Sequence, residues 1–138
     1  HKLHLIGVDL YAPQPEQEGP EQWTAGENGH PWDHELYYNN LQQFCQAYPD
    51  RAEIIKDYTT EAAKEVADES LDFVFIDADH SYMGVMRDVG AWAPKVKKGG
   101  MIIGHDIHFE TVKTAVIELY GEDGYWVEDD FLWFVKKT

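Results

Sequence analysis

Residues 73–76, Phe-Val-Phe-Ile, form a short apolar run that passes directly into Asp77, Asp79 and His80. A run of this length and composition is typical of a strand that is buried on both faces of a parallel sheet. In open α/β sheets, ligands bind just beyond the carboxyl ends of the strands. The pattern therefore predicts a parallel sheet with these three polar residues at its ligand-binding edge.

A second apolar run ends in the same kinds of residue. Gly99 and Gly100 form a turn into residues 101–103, Met-Ile-Ile, which lead through Gly104 into His105 and Asp106. An acid after a strand often only caps the next helix, and an exposed histidine is often only solvated. Two such ends on neighbouring strands nevertheless predict a shared functional site.

Strand and helix patterns alternate along most of the chain. Strand patterns cover residues 3–10, 52–56, 73–76 and 101–103, and helix patterns cover about 33–48, 59–67, 82–93 and 109–120. Apolar stripes lie in the first of these helices at Tyr37, Leu41 and Phe44, and in the third at Val85, Val89 and Trp92. Residues 125–127 and 131–135 have strand patterns on either side of three acids, which predicts a hairpin. This order predicts an α/β fold, a Rossmann-like, doubly wound and mostly parallel sheet with an antiparallel C-terminal hairpin strand.

Length and charge limit the classes of function. A chain of 138 residues fits one domain, residues 1–138. Residues 11–31 are rich in proline and glycine and are expected to form a mobile loop, from which Trp23 could close over a ligand or simply anchor the loop. The formal net charge of −15 disfavours nucleic acids and anionic membranes as partners.

Other sequence features bear on the compartment. Cys45 is the only cysteine, which excludes an internal disulfide and favours the reducing cytoplasm. No apolar run approaches the roughly 18 residues that cross a bilayer, and the N-terminus has no secretory signal pattern. The lone cysteine and the lack of a membrane-spanning or secretory pattern predict a soluble cytoplasmic protein. The given sequence starts at His1 rather than at methionine.

The residues after the two apolar runs fit three kinds of chemistry. Asp77, Asp79, His105 and Asp106 could hold a divalent ion such as Mg²⁺, Mn²⁺, Fe²⁺ or Zn²⁺, since carboxylates and imidazoles are ligands of such ions. An apolar run that ends in Asp-x-Asp also occurs in metal-dependent nucleotide-sugar glycosyltransferases. Without a metal, His80 or His105 could act as a general base, although His80 could instead only order the turn before the next helix.

The first two strands also end in acids. Asp9 could accept hydrogen bonds from both ribose hydroxyls of a nucleoside, and Asp57 with Tyr58 could contact an adenine. A helix cap or a solvated acid explains Asp9 equally well. The glycine fingerprint of dinucleotide-binding folds gives no support, because residues 26–29, Gly-Glu-Asn-Gly, have a different spacing.

Several segments together resemble a known family. Residues 71–82, Asp88, Trp92, residues 98–100 and residues 104–106 are similar to the class I S-adenosylmethionine-dependent methyltransferases, most closely the small-molecule O-methyltransferase branch called methyltransferase family 24. The resemblance extends to the C-terminal Trp-Phe-Val-Lys. It implies a sheet in the order 3-2-1-4-5-7-6 with strand 7 antiparallel, and it puts residues 3–9 on strand 2. Strand 1 and its glycine-rich loop have no counterpart, which predicts impaired cofactor binding.

The resemblance also implies roles for the candidate residues. It implies that S-adenosylmethionine is bound by Asp9, Asp57, Tyr58 and Asp77. In the related metal-dependent catechol-type enzymes, residues after strands 4 and 5 hold a divalent ion such as Mg²⁺. The corresponding positions here are Asp77, His105 and Asp106, with a histidine at one position where those enzymes carry an acid. His80 and His105 are the candidate catalytic bases.

Three hypotheses for function follow from the sequence. The first is methyl transfer from S-adenosylmethionine to a hydroxyl of a small molecule, with a divalent metal as an assisting cofactor. The second is a metal-dependent nucleotide-sugar glycosyltransferase that uses Asp77 and Asp79. The third is a non-enzymatic module of degenerate methyltransferase fold. An open sheet centre would favour a homo-oligomer, since unpaired strand edges tend to find partners.

Overall fold

The computed structural model describes residues 3–12 and 33–138. These residues fall into two compact units, His1–Ala62 and Ala63–Thr138. The elements of the first unit are β1 (Leu5–Asp9), α1 (His34–Ala47), β2 (Ala52–Lys56) and α2 (Thr59–Ala62). The second unit contains β3 (Leu71–Ile76), α3 (Tyr82–Trp92), β4 (Val96–Gly104), α4 (Glu110–Tyr120), β5 (Trp126–Glu128) and β6 (Leu132–Lys136), with 3₁₀ turns at Ala63–Glu65 and Ala93–Lys95.

In the first unit, β1 and β2 form a parallel pair. Leu5 lies opposite Ala52 and Asp9 lies opposite Lys56, so the two strands end together. Parallel strands require a crossover connection, and α1 lies in that connection. Asp33 caps α1: its Oδ1 accepts a hydrogen bond from the N–H of Leu36 at 2.9 Å.

The apolar stripe of α1 lies on the exposed side of the helix. Tyr37, Leu41 and Phe44 are 47%, 41% and 52% exposed. A neighbouring face of the helix contacts β2, where the ammonium of Lys56 lies 4.4 Å from the ring centroid of Tyr38. The periodicity therefore located the helix correctly. Phe44 lines a cavity with Leu5 and Ala52 of the two strands, but the stripe as a whole stays largely exposed.

The second unit contains a four-stranded sheet in the order β3-β4-β6-β5. β3 and β4 are parallel, and Phe75 lies opposite Ile103. β6 is antiparallel to both of its neighbours, β4 and β5. With β1 and β2 as strands 2 and 3, these pairings match the strand order that the family resemblance implied for the segments present. The predicted mostly parallel sheet with an antiparallel C-terminal hairpin is confirmed.

Helices α3 and α4 supply buried apolar side chains to the core of the second unit. The predicted stripe of α3 is confirmed, because Val85, Val89 and Trp92 are all buried. Val112 and Val116 of α4 are buried as well. The strands add buried side chains at Ile76, Val96, Ile102, Trp133 and Val135.

Some expectations lie outside these observations. The loop predicted for residues 11–31, with Trp23, falls outside the described residues except for Tyr11 and Ala12. The expectation of a single domain over residues 1–138 stays a prediction. None of the helices described for residues 3–12 and 33–138 is both long enough and apolar enough to cross a membrane.

Candidate functional site

The carboxyl ends of β3 and β4 lie side by side in the second unit. Ile76 pairs with Gly104, and the N–H of His105 donates to the carbonyl oxygen of Ile76 at 3.1 Å. This pairing brings Asp77 next to the His105-Asp106 segment. Asp106 adopts a left-handed backbone conformation, with φ of 60°, which aspartate tolerates better than most residues.

Two carboxylates and one imidazole converge at this edge. His80 Nε2 lies 3.4 Å from Asp77 Oδ1 and 3.0 Å from Asp106 Oδ2. One ligand atom from each residue lies within 4.8 Å of the others. We call Asp77, His80 and Asp106 the carboxylate–imidazole cluster.

Asp106 is the buried member of the cluster, with 7% of its surface exposed. Besides His80, two more imidazoles approach its carboxylate. His105 Nδ1 lies 3.1 Å from Oδ2, and His108 Nδ1 lies 3.8 Å from Oδ1. A buried carboxylate is costly unless it is paired or hydrogen-bonded. The surrounding imidazoles therefore compensate the burial of this charge.

Packing fixes the position of the His80 ring. The ring stacks on Phe109 with a centroid distance of 5.6 Å and an interplanar angle of 22°. The backbone is held as well, because the hydroxyl of Thr111 donates to the carbonyl oxygen of His80 at 2.7 Å. His105 stacks similarly on Phe131, at 6.1 Å. The imidazoles are therefore ordered by the protein and do not depend on a ligand for their orientation.

Asp79, the second acid of the Asp-x-Asp motif, has a different environment. Its Oδ1 accepts a hydrogen bond from the N–H of Ser81 at 2.8 Å, and Ser81 caps α3 by accepting one from the N–H of Gly84. The Asp79 carboxylate lies 3.8 Å from the guanidinium of Arg87. These contacts support a role in shaping the turn that leads from β3 into α3.

Pairing within the cluster shifts two pKa values. The hydrogen bond to Asp77, with the nearby charge of Asp106, raises the pKa of His80 above its ordinary value of 6.5, although partial burial opposes the shift. The same hydrogen bond lowers the pKa of Asp77 below its ordinary value of 3.8. Both side chains are therefore charged in the pH range between the lowered pKa of Asp77 and the raised pKa of His80.

The pairing makes stability depend on pH. We expect the free energy of unfolding of the metal-free chain to fall above about pH 7, since the folded state holds the His80 proton more tightly than the unfolded state. That stabilisation is complete below pH 6.5 and is lost as the pH rises through the folded-state pKa. The contribution of Asp77 is present above pH 3.8 and is lost as the pH falls through its lowered pKa.

Urea unfolding in EDTA, at about pH 5.5 and about pH 8.5, would measure this dependence. The loss of stability at the higher pH should be smaller in the variant His80→Gln. An equal loss in wild type and variant would assign the dependence to other groups. His34→Gln is a suitable control, because His34 is the first residue of α1 and is not a member of the cluster.

The predicted nucleoside-binding residues lie at the ends of β1 and β2 in the first unit. Asp9 Oδ1 accepts a hydrogen bond from the N–H of Tyr11 at 2.6 Å, and Asp57 Oδ1 accepts one from the N–H of Tyr58 at 2.7 Å. Asp9 is exposed, and 63% of the surface of Tyr58 is exposed. These groups can accept hydrogen bonds from hydroxyls and stack on a base.

The structure brings together a slightly different set from the one that the sequence suggested for a metal. His80, proposed there as a base, lies near both carboxylates, whereas the pair measured for His105 is with Asp106. Phe131 was missed, because it reaches the site from the β5–β6 hairpin. His108 was also missed, and the only signal for it in the sequence is that a second histidine follows His105 three residues later. The functional roles of all these residues stay predictions.

Comparison with known proteins agrees with this fold. The family model described as "Methyltransferase domain" matches residues 1–107. A curated relative, uncharacterized protein y4gI of Sinorhizobium fredii, is 27% identical over 109 residues. The match covers 78% of this chain but 11% of the relative, so the chain spans about a tenth of the length of y4gI.

Two solved structures show the same fold at low sequence identity. The calicheamicin methyltransferase CalS11 has a TM-score of 0.63 and 13% identity, over 96% of this chain and 60% of CalS11. The methyltransferase MycE, from the mycinamycin biosynthetic pathway, has a TM-score of 0.52 and 13% identity, over 99% of this chain and 45% of MycE. The fold is therefore that of the class I methyltransferases. Because the family model covers most of its length, the chain belongs to the methyltransferase family that this model describes.

Proposed function

We propose that this protein transfers the methyl group of S-adenosylmethionine to a hydroxyl of a small molecule, assisted by a divalent ion. The observation that carries the proposal is the carboxylate–imidazole cluster at the adjoining ends of β3 and β4. In open α/β sheets this edge is where ligands bind. Family membership supplies the reaction class, and the cluster supplies groups suited to a hydroxyl that must lose a proton.

The acids of the first unit fit the nucleoside part of the cofactor. A ribose offers two adjacent hydroxyls as donors, and Asp9 offers an exposed carboxylate as acceptor. Asp57 and the exposed ring of Tyr58 would contact the adenine. In the second unit, Asp77 would face the acceptor. The cofactor supplies an electrophilic methyl group on a positively charged sulfur.

The cluster fits a divalent ion, since it combines two carboxylates with one imidazole. Asp77, His80 and Asp106 would hold the ion, with His105 beside Asp106. Such an ion lowers the pKa of a hydroxyl that it binds and holds it in place. The MycE structure contains Mg and SAH, which supports an ion in this fold without showing one here.

The protein's own groups would position the acceptor and take up its proton. Methyl transfer is an in-line displacement, so orientation of the acceptor oxygen supplies much of the rate gain. With the ion held by His80, His105 would accept the proton. Without an ion, His80 would be free to take this role. Because pairing with Asp77 raises the pKa of His80, that residue would then be a stronger base that is neutral only at higher pH, and metal-independent turnover would rise with pH.

A small-molecule acceptor such as a sugar or a phenol fits this proposal. CalS11 is described as a TDP-rhamnose 3'-O-methyltransferase, and MycE was solved with mycinamycin VI.

The net charge of −15 disfavours nucleic acids and membranes as partners. A single cysteine favours the cytoplasm. A homo-oligomer would cover the apolar stripe that α1 exposes.

The glycosyltransferase alternative is less well supported. It requires Asp79 as a metal ligand, but the Asp79 carboxylate accepts a hydrogen bond from the Ser81 N–H and lies near Arg87. Cofactor binding distinguishes the non-enzymatic alternative from methyl transfer, because only a methyltransferase has to bind S-adenosylmethionine.

Calorimetric titration of S-adenosylhomocysteine, with and without Mg²⁺, tests the proposal. We expect saturable binding, because Asp9 and Tyr58 offer exposed groups to the ribose and the adenine. Asp9→Ala should weaken binding about tenfold or more, since it removes a charged acceptor for the ribose. Asp123→Ala, which removes an exposed acid, should leave the affinity unchanged.

Two other outcomes of this titration would be decisive. Absence of binding in a chain that is folded by circular dichroism would favour the non-enzymatic module. Saturable binding that Asp9→Ala leaves intact would keep the cofactor but remove Asp9 from its site.

A further inference from the structure

We infer that the carboxylate–imidazole cluster binds Mn²⁺, Co²⁺ or Zn²⁺ in preference to Mg²⁺, and that His80 is the residue that sets this preference. The inference rests on the ion site of the proposed function. Mg²⁺ prefers oxygen ligands and retains much of its water shell. Imidazole nitrogen is a better ligand for later divalent ions, whose affinity for mixed nitrogen and oxygen sites rises along the transition series.

Two of the three separations among the ligand atoms match those of ligands on one ion, and all three atoms lie within 4.8 Å of one another. Two ligand atoms bound at right angles, with bonds of about 2.1 Å, lie about 3.0 Å apart. Tetrahedral angles increase that separation to about 3.4 Å. His80 Nε2 is 3.0 Å from the Asp106 oxygen and 3.4 Å from the Asp77 oxygen.

The His80 imidazole is also held where it is. Its ring stacks on Phe109, and its carbonyl oxygen accepts the hydrogen bond from Thr111. Asp106, the buried ligand, cannot easily reorient, because His105 contacts the same carboxylate oxygen at 3.1 Å. An ion at this cluster must therefore accept nitrogen as a ligand or displace an ordered ring. Mg²⁺, which prefers oxygen ligands, is poorly suited to either.

Mn²⁺ binding to the chain stripped with EDTA and dialysed, followed by electron paramagnetic resonance of the free ion, tests the inference. Competition with Mg²⁺ in the same samples gives the ratio of the two affinities. We expect the chain to bind one Mn²⁺ at least about tenfold more tightly than Mg²⁺. Co²⁺ bound at the cluster should show visible absorption bands that differ from those of Co²⁺ bound by oxygen ligands alone.

The variant His80→Asp makes the test specific. It replaces the imidazole with a third carboxylate, so it should lower the preference for Mn²⁺ over Mg²⁺ several-fold and weaken the Co²⁺ bands. His80→Asn, which adds no charge, should lower Mn²⁺ affinity about tenfold. His4→Asp is the matched control, because His4 pairs with one carboxylate, Glu53, on the exposed surface. It should leave the ratio unchanged.

Equal affinity of the wild type for Mn²⁺ and Mg²⁺ would overturn the inference, as would absence of Mn²⁺ binding. A ratio that neither His80 variant changes, in proteins folded by circular dichroism, would overturn the role of His80. These measurements use the metal alone. Failure of S-adenosylhomocysteine binding would therefore count against methyl transfer and leave the ion preference standing, whereas the reverse pattern would remove only the ion preference.

Discussion

Replacement of Gly104 by alanine is expected to destabilise the protein by about 2–3 kcal/mol. Gly104 lies directly opposite Trp133 in the β4–β6 pair, and a Cβ atom at position 104 would collide with the indole ring. The ring cannot move aside cheaply. Trp133 is 1% exposed, and its Nε1 donates a hydrogen bond to the carbonyl oxygen of His105 at 3.2 Å.

Gly90→Ala provides the matched control for this substitution. Gly90 lies on the exposed side of α3, and a Cβ atom there would meet nothing within 4 Å. Alanine at this helical position should stabilise the protein by about 0.5–1 kcal/mol. Urea unfolding of both variants measures the difference. Equal stability of Gly104→Ala and wild type would show that Trp133 can repack without cost.

The same substitution should also weaken the functional site. Gly104 immediately precedes the His105-Asp106 segment, and the Trp133 hydrogen bond holds that segment in place. A shift at position 104 would move the Asp106 carboxylate away from Asp77 and His80. Mn²⁺ affinity should therefore fall together with stability in Gly104→Ala.

Asp106→Asn is expected to reduce Mn²⁺ affinity about 100-fold while the chain stays folded. The substitution removes the one buried charge of the cluster, which lies between the imidazoles of His80 and His105. Asparagine has nearly the same shape, and it tolerates the left-handed conformation that Asp106 adopts at φ of 60°. Loss of affinity should therefore reflect the missing charge and not a change of backbone.

Asp130→Asn is the control for this prediction. Asp130 has a similar conformation, with φ of 61°, but it is exposed in the β5–β6 connection. Its substitution should change neither Mn²⁺ affinity nor stability appreciably. Electron paramagnetic resonance titration of both variants gives the comparison. An Asp106→Asn variant that binds Mn²⁺ as tightly as wild type would exclude Asp106 as an ion ligand.

Local patterns predicted much of the secondary structure because they act within a few residues of the chain. A helix was predicted over about residues 82–93, and α3 spans Tyr82–Trp92. The stripe of Val85, Val89 and Trp92 was identified as a buried face, since apolar side chains at this spacing share one side of a helix. The similar stripe of α1 is exposed, because periodicity shows which side chains share a face but not what lies against it.

The composition of the candidate site was also visible in the sequence. Two apolar runs that end in acids and histidines placed Asp77 and Asp106 at one sheet edge, and the β3–β4 pairing confirms that placement. This success follows from a topological rule, since parallel strands that pair present the same ends at the same edge. The rule depends only on the order of strands and helices.

The sequence by itself thus determined the class of fold, the ends of the strands and the types of ligand available. The tertiary structure decided that His80 lies near both carboxylates, that His105 contacts Asp106, and that Phe131 packs on the site from a distant hairpin. These relations depend on strand register, on the left-handed turn at Asp106 and on cross-strand packing against Trp133. Long-range contacts set all three, and a local sequence pattern carries no record of distances between residues far apart in the chain.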